Sequence, residues 1–209
     1  MQIKKMVLGG LGNNTFVVIG DDQKTTLLID PAYEPERIME FLTGQGLELK
    51  AILVTHGHFD HIGAIDKIVE HNPVPVYAHE VEAKLMNDPI KNLSTYFTSR
   101  EVMATATDFL ADKDHLDFGQ GLVFKTIVVP GHSPKSICFY NVEENCIFTG
   151  DTLFSGSLGR TDYYNGDAQD LVQNIKERLM FLPASTKVYP GHGPSTTIGN
   201  EKSYNPFLQ

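Results

Sequence analysis

Six consecutive residues, His56-Gly57-His58-Phe59-Asp60-His61, carry four side chains that can bind a metal ion. His56 and His58, one residue apart in extended backbone, can straddle one ion. Asp60 and His61, turning into a following helix, face a second ion beside it. His132 can complete the first set, His192 the second, and Asp151, with two oxygens, can bridge them. Two adjacent cations that share a water or hydroxide leave each coordination sphere open, as catalysis requires. A structural zinc site would draw on cysteine and close its sphere, and no cysteine sits at ligand spacing here.

The elements that must position these residues follow one pattern, a short apolar strand that ends on a possible ligand. Thr26–Ile29 leads to Asp30, Ala51–Thr55 to His56, and Ile127–Gly131 to His132; Cys146–Gly150 leads to Asp151, and Lys187–Gly191 to His192. Ligand sites of α/β sheets gather at the carboxyl ends of strands, so five such ends predict one shared site. Further strands are expected near Ile3–Leu8 and Thr15–Ile19, with a turn at Gly20-Asp21-Asp22. Glu34-Pro35-Glu36 opens a helix with Ile38, Phe41 and Leu42 on its apolar face. Ile62, Ile65, Ile68 and Val69 mark a second helix, and Leu171, Ile175, Leu179 and Leu182 a third. The weakly periodic stretch 87–107 reads as partly loop.

The 209 residues, 41% hydrophobic and 21% charged, describe one globular α/β domain over 1–209. No apolar run approaches a membrane span, and the first residues lack the apolar stretch of a secretory signal, which points to the cytoplasm. A net charge of −9 without clustered Lys or Arg argues against nucleic acid as a partner. A turn at Glu143-Glu144 would pair Asn141 with Cys146 and leave Cys138 out of register for a disulfide, so both thiols are expected reduced. His71, His79 and His115 stand outside the ligand pattern and read as ordinary surface or core histidines.

In their order along the chain, His56-x-His58-x-Asp60-His61, Gly131-His132, Gly150-Asp151 and Gly191-His192 resemble the motif series of the metallo-β-lactamase superfamily. Gly150-Asp151-Thr152-Leu153-Phe154, Gly159-Arg160-Thr161-Asp162 and the tail from Gly191 to Gly199 with Asn205-Pro206-Phe207 look like its compact bacterial glyoxalase II-like hydrolases. The resemblance implies an αββα sandwich, two mixed β-sheets flanked by helices, with a dinuclear site at one edge. It also places Asp30 where the family has an aspartate that supports a metal ligand. The chain ends at Gln209, too early for the C-terminal helical region of full-length glyoxalase II. Lys135 stands where the family often has glycine after Gly-His-[Ser/Thr]-Pro, a change that would reshape the pocket rim.

What the resemblance implies chemically is hydrolysis of a small thioester of the S-lactoylglutathione type by a metal-bridging hydroxide that Asp60 orients. The cofactor would be two divalent ions, zinc first, with iron and manganese as alternatives. Arg160 would either hold a substrate carboxylate or pair with Asp162 and brace its loop. Tyr163 would line the pocket or cover the core. The nearest rival is a persulfide dioxygenase with one iron on two histidines and a carboxylate. Phosphodiesterase or ribonuclease relatives resemble larger chains with a nucleic-acid domain. A non-catalytic metal-binding module is disfavoured because no ligand is missing.

Overall fold

The computed structural model describes residues 1–209. Its first strands, β1 (Gln2–Leu8), β2 (Asn13–Ile19) and β3 (Thr25–Ile29), form an antiparallel meander. The Asp22 carboxylate accepts from the backbone of Lys24 and Thr25, which closes the expected turn between β2 and β3. Helical crossovers follow. Helix α1 (Pro35–Gly44), with proline in its first turn, leads to β4 (Glu48–Leu53). Helices α2 (Phe59–Ile62) and α3 (Ile65–His71) lead to β5 (Val76–His79), and α4 (Glu80–Met86) with α5 (Ser94–Phe97) to β6 (Asp108–Leu110). Strands β3 to β6 run parallel and complete a six-stranded sheet in chain order.

The second sheet also has six strands. β7 (His115–Asp117), β8 (Val123–Val128), β9 (Ile137–Asn141) and β10 (Cys146–Gly150) are antiparallel neighbours. The small hairpin of β11 (Leu153–Phe154) and β12 (Ser157–Leu158) precedes helix α6 (Ala168–Arg178). The chain returns as β13 (Lys187–Pro190), parallel to β10, then adds β14 (Thr196–Thr197) and helix α7 (Ile198–Tyr204).

Strand alternation sorts the side chains into layers. Along β2, Phe16 and Val18 join the core between the sheets, where Phe124, Phe139 and Phe148 meet them from the second sheet. Val17 and Ile19 face the other way, onto Ile38 of α1 and Ile65 and Ile68 of α3. On the far side, Cys138 and Ile147 pack with Leu171 and Ile175 of α6 and Ile198 of α7. The order helix, sheet, sheet, helix is the αββα sandwich of two mixed sheets. No helix is long and apolar enough to cross a membrane.

Several local expectations need correction. The apolar stripe from Ile62 to Val69 is two helices, because Gly63 lies against the Ala32 carbonyl and the Tyr33 ring, and the Ala64 N–H donates to the Pro31 carbonyl rather than within a helix. Helix α6 stops at Arg178, so Leu179 caps it and Leu182 packs from beyond its end. The stretch 87–107 is loop apart from the short α5, in keeping with its weak periodicity. Strands β4 and β8 end at Leu53 and Val128, so His56 and His132 sit on loops beyond them, whereas Asp30 and Asp151 do follow their strands directly. Asn141 pairs with Cys146 as the turn predicts. Both cysteines are free and buried, and burial pushes each thiol up to about 12.

Candidate metal centre

The carboxyl ends of β3 and β4 from one sheet, and of β8, β10 and β13 from the other, meet at one edge of the sandwich. Two glycines make the approach possible. At Gly150 (φ +49°) a side chain would strike Thr55, and at Gly131 (φ +125°) it would strike the backbone of Leu171 in α6. The left-handed backbone at both also favours glycine. This is the physical content of the Gly-Asp and Gly-His pairs.

The seven expected residues converge in overlapping groups. His56, His58 and His132 form one, Asp60, His61 and His192 another, and Asp151 adjoins His56 and His61. His132 Nε2 lies 3.1 Å from His56 Nε2 and 3.0 Å from His58 Nδ1. Asp151 Oδ1 is 3.2 Å from His61 Nε2, and its Oδ2 is 3.7 Å from His192 Nε2 and 3.9 Å from His132 Nε2. Asp60 Oδ2 is 3.1 Å from His192 Nε2. His71, His79 and His115 belong to none of these groups.

Hydrogen bonds at the far side of three of the rings, His132, His61 and His56, assign their protons. His132 Nδ1–H donates to the Arg160 carbonyl at 2.7 Å, and His61 Nδ1–H donates to Asp30 Oδ2 at 2.8 Å. The Thr55 hydroxyl donates to Asp30 Oδ2 at 2.6 Å and therefore accepts from His56 Nδ1–H at 3.1 Å. Asp30 Oδ1 accepts the Thr55 N–H at 2.7 Å. Asp30 thus orients His61 directly and His56 through Thr55. It adopts a left-handed backbone (φ +49°) at the strand end to do so.

With those protons placed, the Nε2 atoms of His56 and His132 are bare lone pairs that face each other. That contact is repulsive unless a cation lies between them. Zinc–nitrogen bonds of about 2.0–2.1 Å imply nitrogens about 3.3 Å apart in a tetrahedral set, close to the spacing found. His61 Nε2 and Asp151 Oδ1 are also buried without a hydrogen-bond partner. The donor set of imidazole and carboxylate suits a divalent transition metal. The residues present therefore fit a His/Asp metal-binding site.

The two groups differ in their electrostatics. Burial, reinforced by neighbouring histidines, holds His56 well below the usual histidine range and brings His58 down to about 3. At His61 burial acts in the same direction, but Asp151, Asp60 and Asp30 outweigh it and raise the ring well above that range. His192 is raised as well, against burial, by its hydrogen bond to Asp60 and by Asp151. Burial opposes ionisation of Asp60 and Asp151, yet His61 beside them keeps both below the usual carboxylate range.

A cavity of about 350 Å³ opens over this centre. His58, Asp60, His132, Asp151 and His192 form its polar floor, and Phe59, Phe97 and Phe154 contribute apolar walls, with Leu11 and Leu93 at the sides. Tyr163 lines it too, with its ring 5.8 Å from Phe97. Arg160 reaches the rim, but its guanidinium is paired with both oxygens of Asp162 and lies 4.5 Å over the Tyr163 ring. Lys135, expected at the rim, does not line the cavity. Its backbone N–H donates to Glu82. Sequence reasoning missed Leu11, Leu93, Phe97 and Phe154. Leu93 precedes α5 in left-handed backbone and Phe97 ends it, so no periodicity marks the pair.

The family model of the metallo-β-lactamase superfamily matches residues 8–192. A Bacillus subtilis protein named probable metallo-hydrolase YqgX is 39% identical over 209 residues, covering 100% of this chain and 98% of its own. Hydroxyacylglutathione hydrolase GloC of Haemophilus influenzae is 36% identical over 196 residues, covering 91% of each. Among solved structures, BLEG-1, described as a B3 metallo-β-lactamase, superposes with a TM-score of 0.94 at 38% identity over 100% of both chains. TTHA1623 in a di-iron-bound form gives 0.86 at 36% identity, over 98% of this chain and 100% of its own.

Proposed function

Because the chain belongs to the metallo-β-lactamase superfamily, we propose that it is a metal-dependent hydrolase of small thioesters of the S-lactoylglutathione type. The observation that carries this reading is the bare imidazole nitrogens of His56 and His132, each oriented from behind, with His132 on the floor of an open cavity and His56 buried beneath it. His56, His58 and His132 would hold one ion, Asp60, His61 and His192 a second, and Asp151 would reach both. Zinc leads the choice of metal. When bound, such ions lower the pKa of water from about 15.7 to about 7 and polarise a carbonyl.

The chain's own residues supply the rest. Asp60 faces the cavity beside His192, where its carboxylate would orient the attacking oxygen. The Arg160 carbonyl locks the His132 ring, so that His132 keeps one orientation as charge develops. Phe59, Phe97 and Tyr163 exclude water from the side on which the acyl-thiol lies. A thiolate leaves without a proton donor, and no further histidine lines the cavity. The Arg160–Asp162 pair favours a bracing role for Arg160 over a hold on substrate.

The one-iron dioxygenase reading leaves four of the seven converged side chains without a task. The experiment that decides is to purify the protein without added metal, count ions per chain, and assay S-lactoylglutathione, a glutathione persulfide and a β-lactam side by side. Two ions with thioester hydrolysis under nitrogen is the expected result. One iron with oxygen uptake would overturn it, and turnover of the β-lactam alone would move the substrate class toward that of BLEG-1.

A further inference from the structure

Glu82 of α4 is fully buried, and no Lys, Arg or His pairs with it. Its Oε2 accepts the Gly57 N–H at 2.9 Å. Its Oε1 accepts the Lys135 N–H at 2.7 Å and the Ser133 hydroxyl at 2.8 Å. Gly57 lies between His56 and His58, and Ser133 follows His132. One carboxylate therefore joins the loop that presents two imidazoles of the first group to the loop that presents the third. Burial raises its pKa and the three donors work against that rise. A buried carboxylate without a cation is costly, so its presence needs a reason beyond holding α4 in place. Packing already holds α4: Ala83 and Met86 are in the core, and a side chain at Gly57 would come within 2.6 Å of the Glu82 carbonyl and 2.7 Å of Leu85.

We propose that Glu82 is a positioning residue of the metal centre, which sets the spacing between the His56–His58 loop and the His132 loop and thereby the affinity of the three-histidine group for its ion. This rests on the metal-site part of the function proposed above but not on the substrate. Both carboxylate oxygens act only as acceptors. In Glu82→Gln, whichever way the amide turns, its NH₂ faces a backbone N–H, and the two loops part. The group of Asp60, His61 and His192 has separate supports, since the Phe59 N–H donates to the Asn92 carbonyl and His61 donates to Asp30.

The test titrates Co²⁺ into metal-stripped wild-type and Glu82→Gln protein, with visible absorption and calorimetry resolving two sites and circular dichroism reporting the fold. The expected result is about 10–100-fold weaker binding at one site with the other unchanged, the loss typical when a partner behind a metal ligand is removed. In turnover, kcat should fall while KM holds. Unchanged affinity at both sites would overturn the proposal, and so would an equal loss at both, which is the mark of a general packing defect. If Glu82→Gln fails to fold, Ser133→Ala removes one of the three bonds, and a smaller loss confined to the same site is expected. Unaltered binding in that variant overturns the proposal as well. Because the readout is metal affinity, absence of thioester hydrolysis would count against the substrate and leave this result standing.

Discussion

The two halves of the metal centre reach the same fold edge but are supported differently. The three histidines of the first group, His56, His58 and His132, have neutral acceptors behind two of them, the Thr55 hydroxyl and the Arg160 carbonyl. In the second group carboxylates dominate: Asp60 is a member, Asp151 adjoins it, and Asp30 stands behind His61. The first group is thus a cluster of lone pairs with nothing to neutralise, and the second compensates much of its own charge through ion pairs. A cation gives the first group the positive charge that the second finds partly in its own rings. Asp30 links the halves, and Thr55 serves only the first.

Metal removal should expose this difference most strongly. Exhaustive chelation should abolish turnover and lower the thermal midpoint by about 16–32 °C, if each of two ions is present at about 1,000 times its Kd and so contributes about 4 kcal/mol, about 8 kcal/mol together, to a chain of this length. An unchanged midpoint in differential scanning calorimetry would deny the ions any structural role. Next in size, His132→Ala should leave a folded protein with less than about a tenth of native activity, because a bare nitrogen that faces two others is lost. A variant that keeps more than that would break the three-histidine assignment.

Asp30→Ala should cost about 10–100-fold in metal affinity or activity, since rings of both groups lose their orientation. A loss below about twofold in a metal-competition assay would remove it from that role. Thr55→Val sharpens the comparison. It frees His56 alone, keeps the backbone N–H bond to Asp30, and should cost less than Asp30→Ala, with the loss confined to the first group. Equal losses in the two variants would mean that Asp30 acts through Thr55 only. The smallest effect is outside the centre. Cys138 and Cys146, buried and with thiols pushed up to about 12, should react with a thiol reagent only at the rate of unfolding, so fast labelling of the native protein would show an open core.

The converging set of histidines and aspartates was legible because its signal is local. A strand followed by glycine and a ligand recurs along the chain, and the cluster 56–61 concentrates donors that seldom fall together by chance. The αββα order was legible through the resemblance alone, since Phe16, Val17, Val18 and Ile19 are all apolar and only the structure sorts them onto the two faces of β2. The break at Gly63 was hidden, because it depends on Ala32 and Tyr33, which approach it from another segment. Glu82 was hidden for the same reason. In sequence it is one of two acids in the first turn of a short helix, indistinguishable from exposed Glu80 until Gly57, Ser133 and Lys135 surround it.

By itself the sequence determined which side chains can bind a metal and that strand ends deliver them, because ligand chemistry and hydrophobic period are properties of neighbouring residues. Tertiary structure alone decided which nitrogen carries the proton in His56, His61 and His132, that Arg160 spends its charge on Asp162, that Lys135 does not line the cavity, and which apolar residues wall it. Those outcomes depend on distances between segments far apart in the chain, and only the packing of the two sheets and their helices sets them.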